Sequence, residues 1–207
     1  MRMTDKEYID RNMKGFEGDS IMLEKCKSIV TDNKIDTIIE TGTFLAGTTR
    51  VMSEWAKNVY TIEINKPNYD KAKTNLVGFD NVNLIFGNSA QELDKLMSQQ
   101  FVKRTEKFNG RKIPKVFFFL DAHFWDYNPL LDELKVISKY EVDPFIAIHD
   151  FKVPNHPELG FDSYKGQDYD FDWIKKSVEL VYGTEYKVEY NSNAEGAKRG
   201  IIYLSAK

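Results

Sequence analysis

Two apolar runs end in the residues best suited to chemistry. Phe119-Leu120-Asp121-Ala122-His123 closes one, and Ile148-His149-Asp150 closes the other. If these runs are neighbouring parallel strands, Asp121, His123, His149 and Asp150 reach one rim. Carboxylates and imidazoles converging on a cleft suit a divalent cation, here on Asp121, Asp150 and His149. They equally suit a base, His123 or His149, that takes the proton of a hydroxyl nucleophile. A bound cation would also lower the pKa of that hydroxyl. A plainer alternative stands beside this. Asp121 could hold a ligand's amino group, His149 could be a hydrogen-bonded strand-end histidine, and aromatic packing in DAHFWD could hold His123.

A second group of residues points to a ligand pocket. Glu40-Thr41-Gly42-Thr43-Phe44-Leu45-Ala46-Gly47 follows the apolar run DTIIET. Gly42 can take a positive φ and let a ligand lie against the main chain, while Gly47 permits close packing where a helix starts. The spacing is not the G-x-G-x-x-G of a dinucleotide turn, which argues against NAD and FAD. Glu63 ends YTIEIN, 21 residues beyond Gly42, where doubly wound nucleotide folds place an acid on the ribose hydroxyls. Gly87-Asn88-Ser89 follows a third run, and there Asn88 and Ser89 can reach an adenine edge, cap the next helix, or do both.

These residues need elements to hold them. Runs at 36–41, 58–64, 81–87, 115–121 and 144–150 read as strands, several apolar on consecutive residues as in a sheet covered on both faces. Helical patterns fall at 20–31, 47–57, 66–77, 89–100 and 170–182, with another starting from Asn128 and Pro129. Thr4 and Glu7 have capping-box spacing for a short helix near the N-terminus. The runs at 186–192 and 200–206 are joined by a short loop and predict an antiparallel pair. Five β-α units and a closing hairpin predict an α/β, doubly wound three-layer sandwich. Its seven-stranded sheet is mostly parallel with one antiparallel strand, and ligands sit at the carboxyl ends of the strands.

The glycine loop, Glu63 and the Gly87-Asn88-Ser89 step, in this order, resemble class I S-adenosylmethionine (SAM) dependent methyltransferases. The resemblance spans about residues 36–206 and implies that Glu40, Thr41, Gly42, Thr43, Gly47, Glu63, Asn88, Ser89 and Asp121 hold SAM. The half that carries Asp121, His123 and Asp150 looks like the metal-dependent macrocin O-methyltransferase and cephalosporin hydroxylase group. That likeness implies O-methylation of a small acceptor such as a sugar or natural product, with Asp121, His123 and His149 catalytic. It also implies a cation, Mg, Mn or Fe, on Asp121, Asp150 and His149. His149 stands where that group has an acid, which favours manganese or iron over magnesium. The alternative from another class is an inactive SAM- or nucleotide-binding module serving as an assembly or regulatory subunit.

Length and composition narrow the remaining classes. A chain of 207 residues with 42% hydrophobic and 29% charged side chains can bury a full core as one domain over 1–207, with 1–33 as a helical extension. A net charge of −3 disfavours a nucleic-acid partner. No run reaches the ~18 apolar residues of a membrane span. Cys26 is the single cysteine, which excludes an intrachain disulfide and fits a cytoplasmic setting. The oligomeric state is open, a homodimer included. The irregular stretch 151–169 directly follows Asp150 and reads as an acceptor wall or lid. The basic connection 102–115 reads as a solvated loop.

Overall fold

The computed structural model describes residues 5–104, 112–123 and 127–207, without the side chains of residues 5, 6 and 8. The capping-box threonine, most of the basic connection and the aromatic stretch after His123 lie outside the described residues. In chain order, α1 (Asp5–Met13), a 3-10 turn (Phe16–Gly18) and α2 (Ser20–Asp32) precede β1 (Thr37–Thr41). Then come α3 (Gly47–Met52), β2 (Asn58–Glu63), α4 (Lys66–Asn75), β3 (Val82–Phe86) and α5 (Ser89–Gln100). The second half runs β4 (Lys115–Leu120), α6 (Leu130–Ile137), β5 (Asp143–His149), β6 (Ser163–Tyr164), β7 (Gln167–Asp168) and α7 (Phe171–Tyr182). It closes with β8 (Tyr186–Tyr190) and β9 (Ile201–Ala206).

Seven strands form one sheet in the order β3-β2-β1-β4-β5-β9-β8. All neighbours are parallel except β9, which is antiparallel to both β5 and β8. This is the expected doubly wound α/β sandwich with one reversed strand. Its consecutive apolar residues serve two cores. Ile39, Phe118 and Leu120 join Leu93, Leu134, Ile174 and Val178 from α5, α6 and α7 on one face. Ile38, Phe117 and Phe119 join Met22, Cys26 and Met52 from α2 and α3 on the other. A strand sandwiched this way has no solvent side, so it shows no alternation in sequence.

Four helices start on an Asx cap. Asp19, Asn65, Asn88 and Asp170 each accept from backbone N–H groups of the first turn of α2, α4, α5 and α7. Where α6 begins, Asn128 accepts from Leu130 N at 3.2 Å and Pro129 occupies the cap position itself, one residue later than the sequence suggests. The stretch 151–169 contains a small hairpin that the sequence did not predict. β6 pairs with β7 across Lys165 and Gly166, both at positive φ. The turn needs two left-handed residues, and Lys-Gly is a weaker signal for it than Asn-Gly or Asp-Gly.

Strand register sets the rim. Thr41 pairs with Ile62 and Leu120, and Leu120 pairs with Ile148. Gly42, Glu63, Asp121 and His149, one residue further along four adjacent strands, therefore stand at the same level.

Candidate active site

A cavity of about 290 Å³ opens at this level, walled by Gly42, Glu63, Ser89, Asp121, His123, His149 and Asp150, and joined by Glu17, Phe44 and Tyr127. Backbone geometry around the glycine loop shapes it. Gly42 has φ +88, and a Cβ there would collide with the carbonyl oxygen of Asp121 on the adjacent strand. Phe44 and Ala46 are also left-handed. A Cβ on Gly47 would strike the carbonyl oxygen of Asn12, so this glycine lets the end of α1 sit on the start of α3.

Glu63 receives backbone N–H bonds from Phe44 and Asn65, both at 2.7 Å, which lock the glycine loop to the end of β2. Burial raises its pKa, and these amides pull it back. Its carboxylate still borders the cavity. Glu40 and Thr41 do not. Glu40 is 1% exposed and accepts from Thr49 and, at 2.6 Å, from Thr61, which lies 2.5 Å from Thr43. It braces the loop from beneath, and burial pushes its pKa up to about 8. Thr43 and Gly47 border a separate space of about 30 Å³. Asn88 caps α5 and donates to the Tyr127 hydroxyl at 2.6 Å, so it holds the tyrosine without lining the cavity itself. Ser89 is buried and borders the cavity. Glu133, which the sequence reading passed over, lies beside Ser89 and Thr41, and burial pushes it up to about 7.

The structure brings Asp121, His123, His149 and Asp150 together. Asp121 Oδ1 lies 3.1 Å from both His123 Nε2 and His149 Nδ1. His123 Nε2 is 2.9 Å from Asp150 Oδ2, and its Nδ1 faces Asp162 at 3.1 Å and the Tyr164 hydroxyl at 2.8 Å. Burial opposes charge on both rings, but the surrounding carboxylates win. His123 is held well above the usual histidine range, and His149 is raised to about 9, chiefly by Asp150 and Asp121. Burial likewise raises Asp121 and Asp150, yet the imidazoles hold both below the usual carboxylate range. Asp121, His149 and Asp150 each offer a ligand atom, all within 4.8 Å of one another, and this donor set fits a divalent ion.

Three partners of this cluster were not legible. Asp162 and Tyr164 lie in the stretch expected as an acceptor wall, and they reach His123 from behind rather than lining the cavity. Arg199, between β8 and β9, donates from Nε to Asp150 and from Nη2 to Asp162. Nothing in the sequence ties a hairpin arginine to residues 37 and 49 positions away. Glu17 sits in a run of four left-handed residues, Gly15 to Gly18, that faces it into the cavity. His156, by contrast, pairs with Glu158 at 2.7 Å.

No protein-family model matches the chain, and neither does any curated protein sequence. Solved structures do. An O-methyltransferase from Bacillus cereus in complex with SAH superposes with TM-score 0.64 at 16% identity, covering 100% of this chain and 93% of that one. The O-methyltransferase TomG from Streptomyces achromogenes, in complex with SAM, gives 0.63 at 13%, covering 100% and 91%. An rRNA methylase from Streptococcus thermophilus gives 0.54 at 15%, covering 90% and 95%. The chain has the Rossmann-like methyltransferase fold. Within that fold, the cavity lies at the carboxyl ends of the central strands, where open α/β sheets bind their ligands.

Proposed function

We propose that this protein transfers a methyl group from SAM to an oxygen of a small acceptor. The observation that carries the reading is one cavity with two unlike halves: Gly42, Glu63 and Ser89 on one side, the Asp–His cluster on the other. The wall fits an adenosyl donor without phosphates. Among the described residues that line it there is no lysine or arginine to neutralise a pyrophosphate. Ser89, beside the buried Glu133, adds a hydroxyl to the wall. The protein folds of the B. cereus and S. achromogenes enzymes, solved with SAH and SAM, support the same donor.

SAM supplies an electrophilic methyl on a sulfonium centre. Glu63 would take the ribose hydroxyls with the lone pairs its two amide donors leave free, and Ser89 would meet the adenine. Gly42 lets the loop pass against the main chain of Asp121, which brings the two halves of the wall together. Asp121 and Asp150 place the acceptor, and His123 removes its proton. A divalent ion on Asp121, His149 and Asp150 would supply Lewis acidity to the acceptor oxygen. His123 is protonated while three carboxylates surround it, so it serves as a base only once their charge is otherwise balanced. With Glu17, Glu63, Asp121 and Asp150 on the wall, an uncharged or cationic acceptor such as a sugar fits better than a phosphate or nucleic acid. The intact cluster disfavours an inactive binding module.

Calorimetric titration of the protein with SAH, NAD and ATP tests the donor. One SAH per chain and no heat from NAD is the expected result; no response to SAH removes the reading. Glu63→Ala should weaken SAH at least tenfold, since it deletes a charge-assisted acceptor of two hydrogen bonds. Wild-type affinity in that variant would refute the ribose assignment.

A further inference from the structure

Arg199 lies outside the cavity wall, yet it touches two of the carboxylates that surround His123. Its side chain is 25% exposed and forks between Asp150, 10% exposed, and Asp162, 25% exposed. Each carboxylate gives one oxygen, Oδ1, to the guanidinium. The other oxygen, Oδ2, is left for His123: Asp150 Oδ2 on Nε2 at 2.9 Å and Asp162 Oδ2 on Nδ1 at 3.1 Å. The main chain follows the same path. Gly160 and Arg199 form a β-bridge, Gly160 N donates to Lys198 O at 2.8 Å, and Gly200 N donates to Gly160 O at 2.8 Å. Asp162 N donates to the carbonyl of Asp150 at 2.9 Å, and Asp150 itself is left-handed, with φ 56.

We propose that Arg199 is the positioning residue of the reaction centre: its fork closes the 160–168 flap onto Asp150 and decides which carboxylate oxygens flank His123. Its purpose rests on the methyl-transfer reading, since the imidazole so placed faces the acceptor. The planar guanidinium is essential to this role. Two donors at a fixed angle hold two carboxylates at once, whereas an ammonium is a point charge that can satisfy one and release the other. Asp162 and Tyr164 then come as a unit, because the tyrosine hydroxyl lies 2.8 Å from both Asp162 Oδ2 and His123 Nδ1.

The test compares Arg199→Gln, Arg199→Lys, Asp162→Asn and the Arg199→Gln/Asp162→Asn double variant with wild type, using the full chain at one fixed pH. Backbone hydrogen exchange reads the flap, ¹⁵N-histidine NMR reads the ring nitrogens, and SAH titration reads the donor half. Each single variant should speed exchange across 160–168 at least tenfold and move the His123 signals, with His156 unmoved. The double variant should do no more than either single one, and SAH affinity should stay within threefold. If Arg199→Lys behaves as wild type, a bare positive charge suffices and the fork is irrelevant. If the flap loosens while the His123 signals stay, the arginine merely staples a loop. Unchanged exchange in both arginine variants would overturn the proposal outright. Should Arg199→Gln fail to fold, the lysine and asparagine variants carry the same comparison. Absence of SAH binding by wild type would instead defeat the methyl-transfer reading, with the exchange and NMR results still readable.

Discussion

Glu40 accepts hydrogen bonds from Thr49 and Thr61 in a nearly closed space, and its pKa rises from the ordinary 4.5 to about 8. In that interval the native state holds a proton that the unfolded chain has lost. Stability therefore falls as pH rises through it, by at most about 1.4 kcal/mol per pH unit from this group. The native advantage is complete below 4.5 and gone above about 8. Glu40→Gln keeps an acceptor for both threonines and removes the titration. Its unfolding free energy should have a shallower pH slope than wild type between pH 5 and 8; equal slopes would show that Glu40 is ionised throughout. His149 gives the opposite linkage for a metal. Below about 9 its ring is protonated, so a cation on Nδ1 must displace that proton. Manganese affinity measured by calorimetry should rise between pH 6 and 9 and release protons to the buffer. An affinity independent of pH would exclude His149 as a ligand. The sequence showed Asp121, His123, His149 and Asp150 because they stand at or just beyond the ends of two strands. It hid Arg199 and Glu17, whose roles come from loops that meet only in three dimensions.

Gly47 joins two elements. Its missing side chain lets the carbonyl of Asn12 rest on the start of α3, and Phe16, just beyond, stacks on Trp55 at 5.7 Å and meets Phe119 edge-on at 5.4 Å. Gly47→Ala should push α1 away while leaving the sheet intact. Limited proteolysis should then cut near residues 5–13 much faster, with a drop in melting temperature of only a few degrees. Unchanged cleavage would mean α1 is held elsewhere. The glycine was legible as a packing residue; its partner was not, since Asn12 is 35 residues earlier and carries no signal of its own. The central strands were readable because burial on both faces demands unbroken apolar runs. The β6–β7 hairpin was missed because so short a pair leaves no periodic pattern.

The doubly wound sandwich followed from the alternation of elements and the right-handed crossover rule, and the reversed strand from the short loop before it, whereas the order of the strands came only from the structure. Surface charge is a property of the whole chain, and here it is weakly negative at −3. The similar fold of an rRNA methylase makes the point testable. Ribosomal RNA fragments at 50 mM salt should produce no mobility shift of the SAH-loaded protein. A shift that fades steeply with salt would reveal a phosphate-binding face and reverse the acceptor assignment.

The left-handed turn at Gly15–Gly18 is also where distant parts of the chain meet. A Cβ on Gly196 would collide with the carbonyl of Glu17, and Ser20 donates to Glu195 at 2.6 Å. β9 slots between β5 and β8, with Arg199 just before it. During synthesis, then, the amino-terminal turn waits for almost two hundred residues before its neighbour emerges from the ribosome. A chain stalled before Arg199 can already contain the strands that carry Gly42, Glu63 and Asp121. It still lacks the clamp on Asp150 and the support behind Glu17. The cavity wall at Gly42 and Glu63 therefore depends on earlier parts of the chain than the wall at Asp150 and Glu17 does.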